Sequence, residues 1–255
     1  HTIVINWEEI RDLQRSYLFS GLPNLDVPQD HAFTASLYKE AAKYNIKDIL
    51  SGGNYQTEYI LPDTWGYDAL DSLSLKDIHK KFGSINLKTY PVMNSFERYI
   101  YYPYIRRIRT HRILDYLPYN KFTAKEILIE HLEWRDYGGK HYESIFTKFF
   151  QSHYLPKKYG FDKRLAHFSN LILSSQISRE EALEELSNPL FEKNTISEEM
   201  LFWTKKLGIT TKHYEEIILS DKVNFKEYRN NEYLHNILSN LRALYIRLIE
   251  KRIIA

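Results

Sequence analysis

In the front part of the chain only two runs have a clear strand pattern, Thr2-Ile3-Val4-Ile5 and Ile46 to Leu50, and after Thr123 the pattern is almost wholly helical. Parallel strands persist mainly within larger sheets covered by helices on both faces. Two strands are too few for such a sheet, so its other strands are expected to precede His1. The fold class that follows is α/β and helix-rich: the later part of a parallel nucleotide-binding sheet over residues 1–119, then a mainly helical domain over 120–255.

The strand ending at Leu50 runs into Ser51-Gly52-Gly53-Asn54. Open α/β sheets bind ligands at the carboxyl ends of their strands, and glycine lets backbone N–H groups approach a ligand closely. Two glycines after a strand also make an ordinary turn. Asn54, Thr57 and Glu58 follow at helical spacing, placing an amide, a hydroxyl and a carboxylate where a ribose, a phosphate or Mg²⁺ could be met.

Helix signals punctuate the rest. Asn6 precedes Trp7-Glu8-Glu9 as an N-cap with acids in the first turn. A second helix is expected from Asp26 and Pro28, burying Phe33, Leu37, Ala41 and Tyr44. Leu61 to Ser74 reads as a polar lid, Leu75 to Phe82 as a helix closed by Gly83, and Tyr99 to Ile105 as an edge strand limited by Pro103. Further helices are expected near Thr123–Trp134, His141–Tyr154, Lys163–Leu173, Ser178–Leu186, Ser197–Lys206 and Thr210–Leu219. A last apolar stripe runs from Leu234 through Ile237, Leu238, Leu241, Leu244, Tyr245 and Leu248 to Ile249. It could dock a partner or pair two copies, but packing on its own domain is the expectation.

Composition removes several functions. The chain has 255 residues and no cysteine, so disulfides, thiolate metal sites and a cysteine nucleophile are excluded, and a cytoplasmic setting is expected. With 35 basic against 33 acidic residues, no nucleic-acid partner is expected. No apolar run reaches the roughly 20 residues that span a bilayer.

Several charged groups remain as candidates. Gly138-Gly139-Lys140 is not a Walker loop, because Trp134 stands where the first glycine belongs and His141 follows the lysine. Lys140, His141 and Glu143 open a helix together and could handle a developing anion and a proton. Lys157, Lys158, Lys163 and Arg164 are the densest basic cluster, suited to a diphosphate or to a plain exposed loop. His31 and His79 lack metal-ligand spacing and read as structural or substrate-contacting, so no protein-made metal site is expected. Tyr99, Tyr101, Tyr102 and Tyr104 could stack a base, though core packing is the commoner use.

Nine blocks in one order carry a resemblance: Asn6 to Leu13, Pro28-Gln29-Asp30-His31-Ala32, Ser51 to Glu58, Trp65-Gly66-Tyr67-Asp68, Leu75 to His79, Tyr101 to Ile105, Gly139 to Ser144, Leu155 to Arg164 and His167-Phe168-Ser169. From about Trp7 to the region of Asn188 the sequence resembles the N-acetyl sugar amidotransferases. These are relatives of the PP-loop ATP pyrophosphatases that work in lipopolysaccharide, flagellar and capsular sugar biosynthesis. The family's Ser-Gly-Gly-x-Asp-Ser loop is absent, since Asn54, Tyr55 and Gln56 follow Ser51-Gly52-Gly53; the segment looks instead like the superfamily's second nucleotide motif. The pyrophosphate loop is therefore expected upstream of His1, and this chain alone is expected to be inactive.

The resemblance implies ATP with Mg²⁺, a nucleotide-linked acetamido sugar converted to its acetamidino form through an adenylated intermediate, and ammonia from a separate glutaminase. It implies Ser51, Gly52, Gly53, Asn54, Thr57 and Glu58 as nucleotide-binding, and Lys140, His141 and Glu143 as catalytic. Gln29, Asp30, His31, Trp65, Tyr67, Lys157, Lys158, Lys163 and Arg164 become substrate contacts. A non-catalytic sugar-nucleotide module and a tRNA-modifying relative stand as alternatives, and a homodimer as a possible assembly.

Overall fold

A computed structural model describes residues 1–140, 142–191 and 195–241. Asn6 caps α1 (Trp7–Phe19), its Oδ1 accepting from the N–H groups of Glu8 at 3.0 Å and Glu9 at 3.4 Å. The helix buries Leu13, Tyr17 and Leu18 together with two acids. Those acids are satisfied by backbone donors: Glu9 accepts from Lys88 and Thr89, and Asp12 from Ser84. His79, an open candidate in the sequence, lies 3.0 Å from Asp12 and belongs to this structural network.

The expected strand Thr2 to Ile5 does not form. Val4 is 87% exposed and no strand lies beside the segment among the described residues, so its backbone groups find no ladder. In α2 (Val27–Lys43) most of the expected apolar face is turned outward: Phe33, Leu37 and the capping Tyr44 are exposed, while the expected Ala41 is buried together with Ala32, Ala35 and Ala42. Small side chains let the helix backbone approach its neighbours closely, and that closeness decides which face turns in.

The sheet has two parallel strands, β1 (Asp48–Ser51) and β2 (Arg109–Arg112), with Asp48 opposite Arg109 and Ser51 opposite Arg112. The structure is thus helix-rich with a small parallel sheet. β2 was not expected, because Arg-Thr-His-Arg lacks apolar alternation; it is tied by His111 to Asp48 at 2.7 Å and by Thr110 to Tyr38 at 2.7 Å. The expected strand over Tyr99 to Ile105 is instead part of a π-helical stretch, Glu97–Ile105. Asn94 and Glu97 cap it reciprocally, at 2.8 and 2.9 Å, and burial of Tyr102 under α2 holds it.

Between the strands lie α3 (Tyr55–Glu58) and α4 (Ser72–Phe82). Gly83 caps α4 as expected, donating its N–H to the His79 carbonyl, but at φ −74° it is not left-handed. After β2 come α5 (Lys121–Leu132), α6 (Ile145–Phe149), a π-helical stretch over Phe150–Tyr159, α7 (Lys163–Leu173), α8 (Arg179–Ser187), α9 (Ile196–Leu207) and α10 (Thr211–Leu219). Ser178 and Glu181 form a capping box at the start of α8, whereas α9 starts after Thr195 and not at Ser197.

The larger core joins Leu13, Tyr17, Leu75 and Ile78 to Phe149, Tyr154, Trp203 and Tyr214. It crosses the expected boundary at 119/120. A smaller core beside the sheet holds Ala35, Ala41, Met93, Tyr102 and Ile108. Residues 232–241 are helical; Leu234, Ile237 and Leu241 are exposed and Leu238 is half-buried, so this part of the last stripe packs on the rest of the chain only in part. Leu244, Tyr245, Leu248 and Ile249 lie outside the described residues. Among the described residues no helix is long and apolar enough to cross a membrane.

Candidate active site

β1 delivers Ser51 to a turn in which the Gly53 N–H donates to Ser51 Oγ at 3.1 Å. Asn54 then caps α3, its Oδ1 accepting from the Thr57 N–H at 2.9 Å and from Thr57 Oγ1 at 3.1 Å. Four residues make a weak helix alone, and α7 holds this one. The buried Asn170 accepts from the N–H groups of Tyr59 at 3.0 Å and Ile60 at 2.9 Å, and Ser174 donates to the Gln56 carbonyl. From the other side Asp115 accepts from the Tyr55 N–H at 2.8 Å.

The loop after α5 reaches this motif. Lys140 Nζ lies 3.2 Å from Glu58 Oε1, an ion pair across 82 positions of sequence. The two segments wall a cavity of about 620 Å³, lined on one side by Gly52, Asn54, Thr57 and Glu58 and on the other by Lys121, Lys125, Lys140 and Glu143. Tyr119, Trp134, Tyr137, Asp136 and His167 complete much of the rim. Trp134 and Tyr137 meet edge to face at 5.4 Å. Gly138 turns the loop at φ +81°, where its N–H donates to Asp136 Oδ1 at 3.0 Å.

Size and lining fit a nucleotide: the volume falls within the range of ligand sites, roughly 300–1,000 Å³, and aromatic and cationic side chains share the wall. Among the described residues no three His, Asp or Glu side chains are placed to hold a metal ion. The carboxylates of Glu58 and Asp136 are held by Lys140 and Lys125. Mg²⁺ therefore fits this cavity only as a companion of bound phosphates, the manner in which it is usually carried.

Other candidates lie elsewhere. Gln29 donates to Asp26 Oδ1 and Thr147 Oγ1, each at 3.1 Å. His31 is fully buried: its Nε2 accepts from the Met93 N–H at 3.0 Å and its Nδ1 donates to the Ala69 carbonyl at 3.1 Å. Burial lowers its pKa, so it is a neutral core group. Trp65, Tyr67 and Lys163 line a separate cavity of about 290 Å³. Trp65 stacks on Phe161 and Tyr67 on Phe225, at 4.9 and 4.4 Å, which anchors the segment read as a lid. None of its residues lines the cavity of about 620 Å³, whereas Thr64, Gly66, Tyr67, Asp68 and Asp71 line another of about 790 Å³.

The expected basic cluster is dispersed. Buried Lys158 donates to the carbonyls of Ile217 and Ser220 at the end of α10, at 2.5 and 2.9 Å. Arg164 pairs with Asp162 at 2.8 Å and donates to the carbonyls of Glu185 and Asn188 at the end of α8. Lys163 faces Asp26, Asp30 and Lys140, and burial lowers its pKa. Lys158, Lys163 and Arg164 thus face different parts of the structure, Lys158 from the π-helical stretch and the other two from the start of α7. Of the expected catalytic residues, Lys140 and Glu143 line the cavity, and His141 lies outside the described residues. Sequence reasoning missed Tyr119, Lys121, Lys125, Trp134, Asp136 and His167; the i, i+4 pair Lys121 and Lys125 was the available signal.

Residues 143–242 match the family model described as LPS biosynthesis protein WbpG-like, C-terminal domain. No curated protein and no solved structure matches the chain. The matched region begins at Glu143 on the cavity wall and includes His167 and Leu171 from the same lining.

Proposed function

Taking the likeness to a lipopolysaccharide-biosynthesis domain as the premise, we propose that this chain belongs to an ATP-dependent amidotransferase that converts the acetamido group of a nucleotide-linked sugar to acetamidino. The observation that carries the reading is the Lys140–Glu58 contact, which brings the glycine motif and the Gly139-to-Ser144 segment to one cavity.

ATP supplies the activation in this reading: the acetamido oxygen takes the adenylyl group, pyrophosphate leaves, ammonia adds to the carbon, and AMP departs with the oxygen. The chain's own residues bind, shield and move protons. Asn54 and Thr57 hold the turn that faces the nucleotide. Trp134 and Tyr137 cover the ligand and exclude water, which would otherwise hydrolyse the activated amide. Lys140 neutralises charge gathering on the departing phosphate oxygens, and the Glu143 carboxylate takes a proton from the added nitrogen. No cysteine of these 255 residues can release ammonia from glutamine, and in this reading a separate glutaminase supplies the nitrogen.

The test is the full-length gene product incubated with ATP, Mg²⁺, an ammonium salt and nucleotide-linked acetamido sugars. Mass spectrometry is expected to show oxygen replaced by NH together with AMP release, both lost in Lys140→Ala. AMP-free mixtures with unchanged sugar, where the sugar still binds, overturn the reading in favour of a binding module.

A further inference from the structure

Three lysines line the cavity at the Lys140–Glu58 contact, and two have counter-ions: Lys140 pairs with Glu58 and Lys125 with Asp136. The third, Lys121, forms no ion pair among the described residues. Its position is nevertheless built. The Lys121 N–H donates to Gln176 Oε1 at 2.8 Å, and Gln176 Nε2 donates to the Tyr119 carbonyl at 3.3 Å, so one side chain clamps the backbone on both sides of Asn120. Burial, then the nearby charges of Lys140 and Lys125, lower the Lys121 pKa against a weaker pull from Asp136. Holding a third cation beside two others, partly withdrawn from water, costs free energy that an anion in the cavity would recover.

We propose that Lys121, Lys125 and Lys140 form a diphosphate-binding subsite anchored by Lys121, and that a bound diphosphate takes over from Glu58 and Asp136 as their counter-ion. A group with two linked phosphates matches three convergent donors better than a single carboxylate does, since charge-assisted contacts to phosphate oxygens are the strong ones. Among the four rival cations, Lys158 and Arg164 are spent on helix carbonyls, and Lys163 faces Asp26 and Asp30. That the diphosphate belongs to a sugar nucleotide rests on the function proposed above; the subsite itself rests on the lysines.

Isothermal titration of the chain with inorganic pyrophosphate tests it, with circular dichroism confirming each fold. Lys121→Gln is expected to weaken binding about tenfold or more, while Lys121→Arg retains it and Lys212→Gln, a change on the exposed face of α10, leaves it unchanged. Glu58→Gln, which frees Lys140 from its competitor, is expected to tighten binding, the opposite of what a merely structural carboxylate would do. Equal affinity in wild type and Lys121→Gln, or no binding by folded wild type, overturns the subsite. UDP-linked N-acetylglucosamine and ATP are then run as competitors: displacement by either supports a diphosphate ligand and names its source, and displacement by neither overturns the ligand class. Because pyrophosphate binding needs no turnover, a failed amidination assay and a failed subsite remain separate results.

Discussion

Asp26 stands before α2 with its carboxyl buried, accepting from Gln29 Nε2 and from Thr147 Oγ1 at 3.1 Å each. Burial, and next the charge of Asp30, raise its pKa to about 7. Between the ordinary carboxylate range and about pH 7 the folded chain therefore keeps a proton that the unfolded chain has released. Stability from this group is full at low pH and is lost as pH rises through about 7. Asp26→Asn keeps an acceptor and removes the titration. Urea unfolding at about pH 5 and about pH 8 is expected to show a stability loss on the order of 2 kcal/mol larger in wild type than in the variant. Equal losses would mean that Asp26 is ionised throughout. Gln29, Asp30 and His31 are substrate contacts only as the resemblance implies, and a list of residue types carries no direction. The fold points His31 at Ala69 and Met93 and Gln29 at Thr147.

Among elements, those announced by local chemistry were legible. Asn6 before α1, the Ser178–Glu181 box before α8 and Thr210 before α10 each cap the helix they announce. The stretch from Tyr99 to Ile105 misled because aromatic content favours strands, while the Asn94-x-x-Glu97 cap signal lay just upstream. β2 was illegible for the converse reason: its pairing with β1 is fixed by long-range partners that no window of residues contains. Packing between α6, α9 and α10 turns on an aromatic group. Trp203 meets Phe146, Phe149 and Tyr214 with ring centres 5.2 to 5.4 Å apart and is 2% exposed. Trp203→Ala is expected to cost about 3–5 kcal/mol, measured as a fall in the urea midpoint at constant m-value. A loss below about 1 kcal/mol would show that the three helices do not depend on this contact.

On the scale of the whole molecule, each wall of the candidate site was legible separately, as a glycine turn after a strand and as a charged helix start. Their meeting was not, since the Lys140–Glu58 pair joins residues that sequence spacing leaves unrelated. Two further ties cross the same divide: the Asn170 clamp on Tyr59 and Ile60, and the larger core, where Tyr154 donates to the Leu22 carbonyl at 3.1 Å and Tyr228 to the Ser20 carbonyl at 2.7 Å. A cavity whose walls come from both sides of residue 120 keeps its shape only if the two sides melt together. Thermal unfolding followed by far-ultraviolet circular dichroism and by tryptophan fluorescence is therefore expected to give coincident midpoints. Trp7 and Trp65 report from one side of the boundary and Trp134 and Trp203 from the other. A saturating ligand of the cavity should raise both midpoints together, because binding to the folded state alone stabilises whatever unfolds with it. If fluorescence and dichroism separate, or if ligand shifts one transition and leaves the other in place, the two sides unfold independently and the cavity is a junction between them.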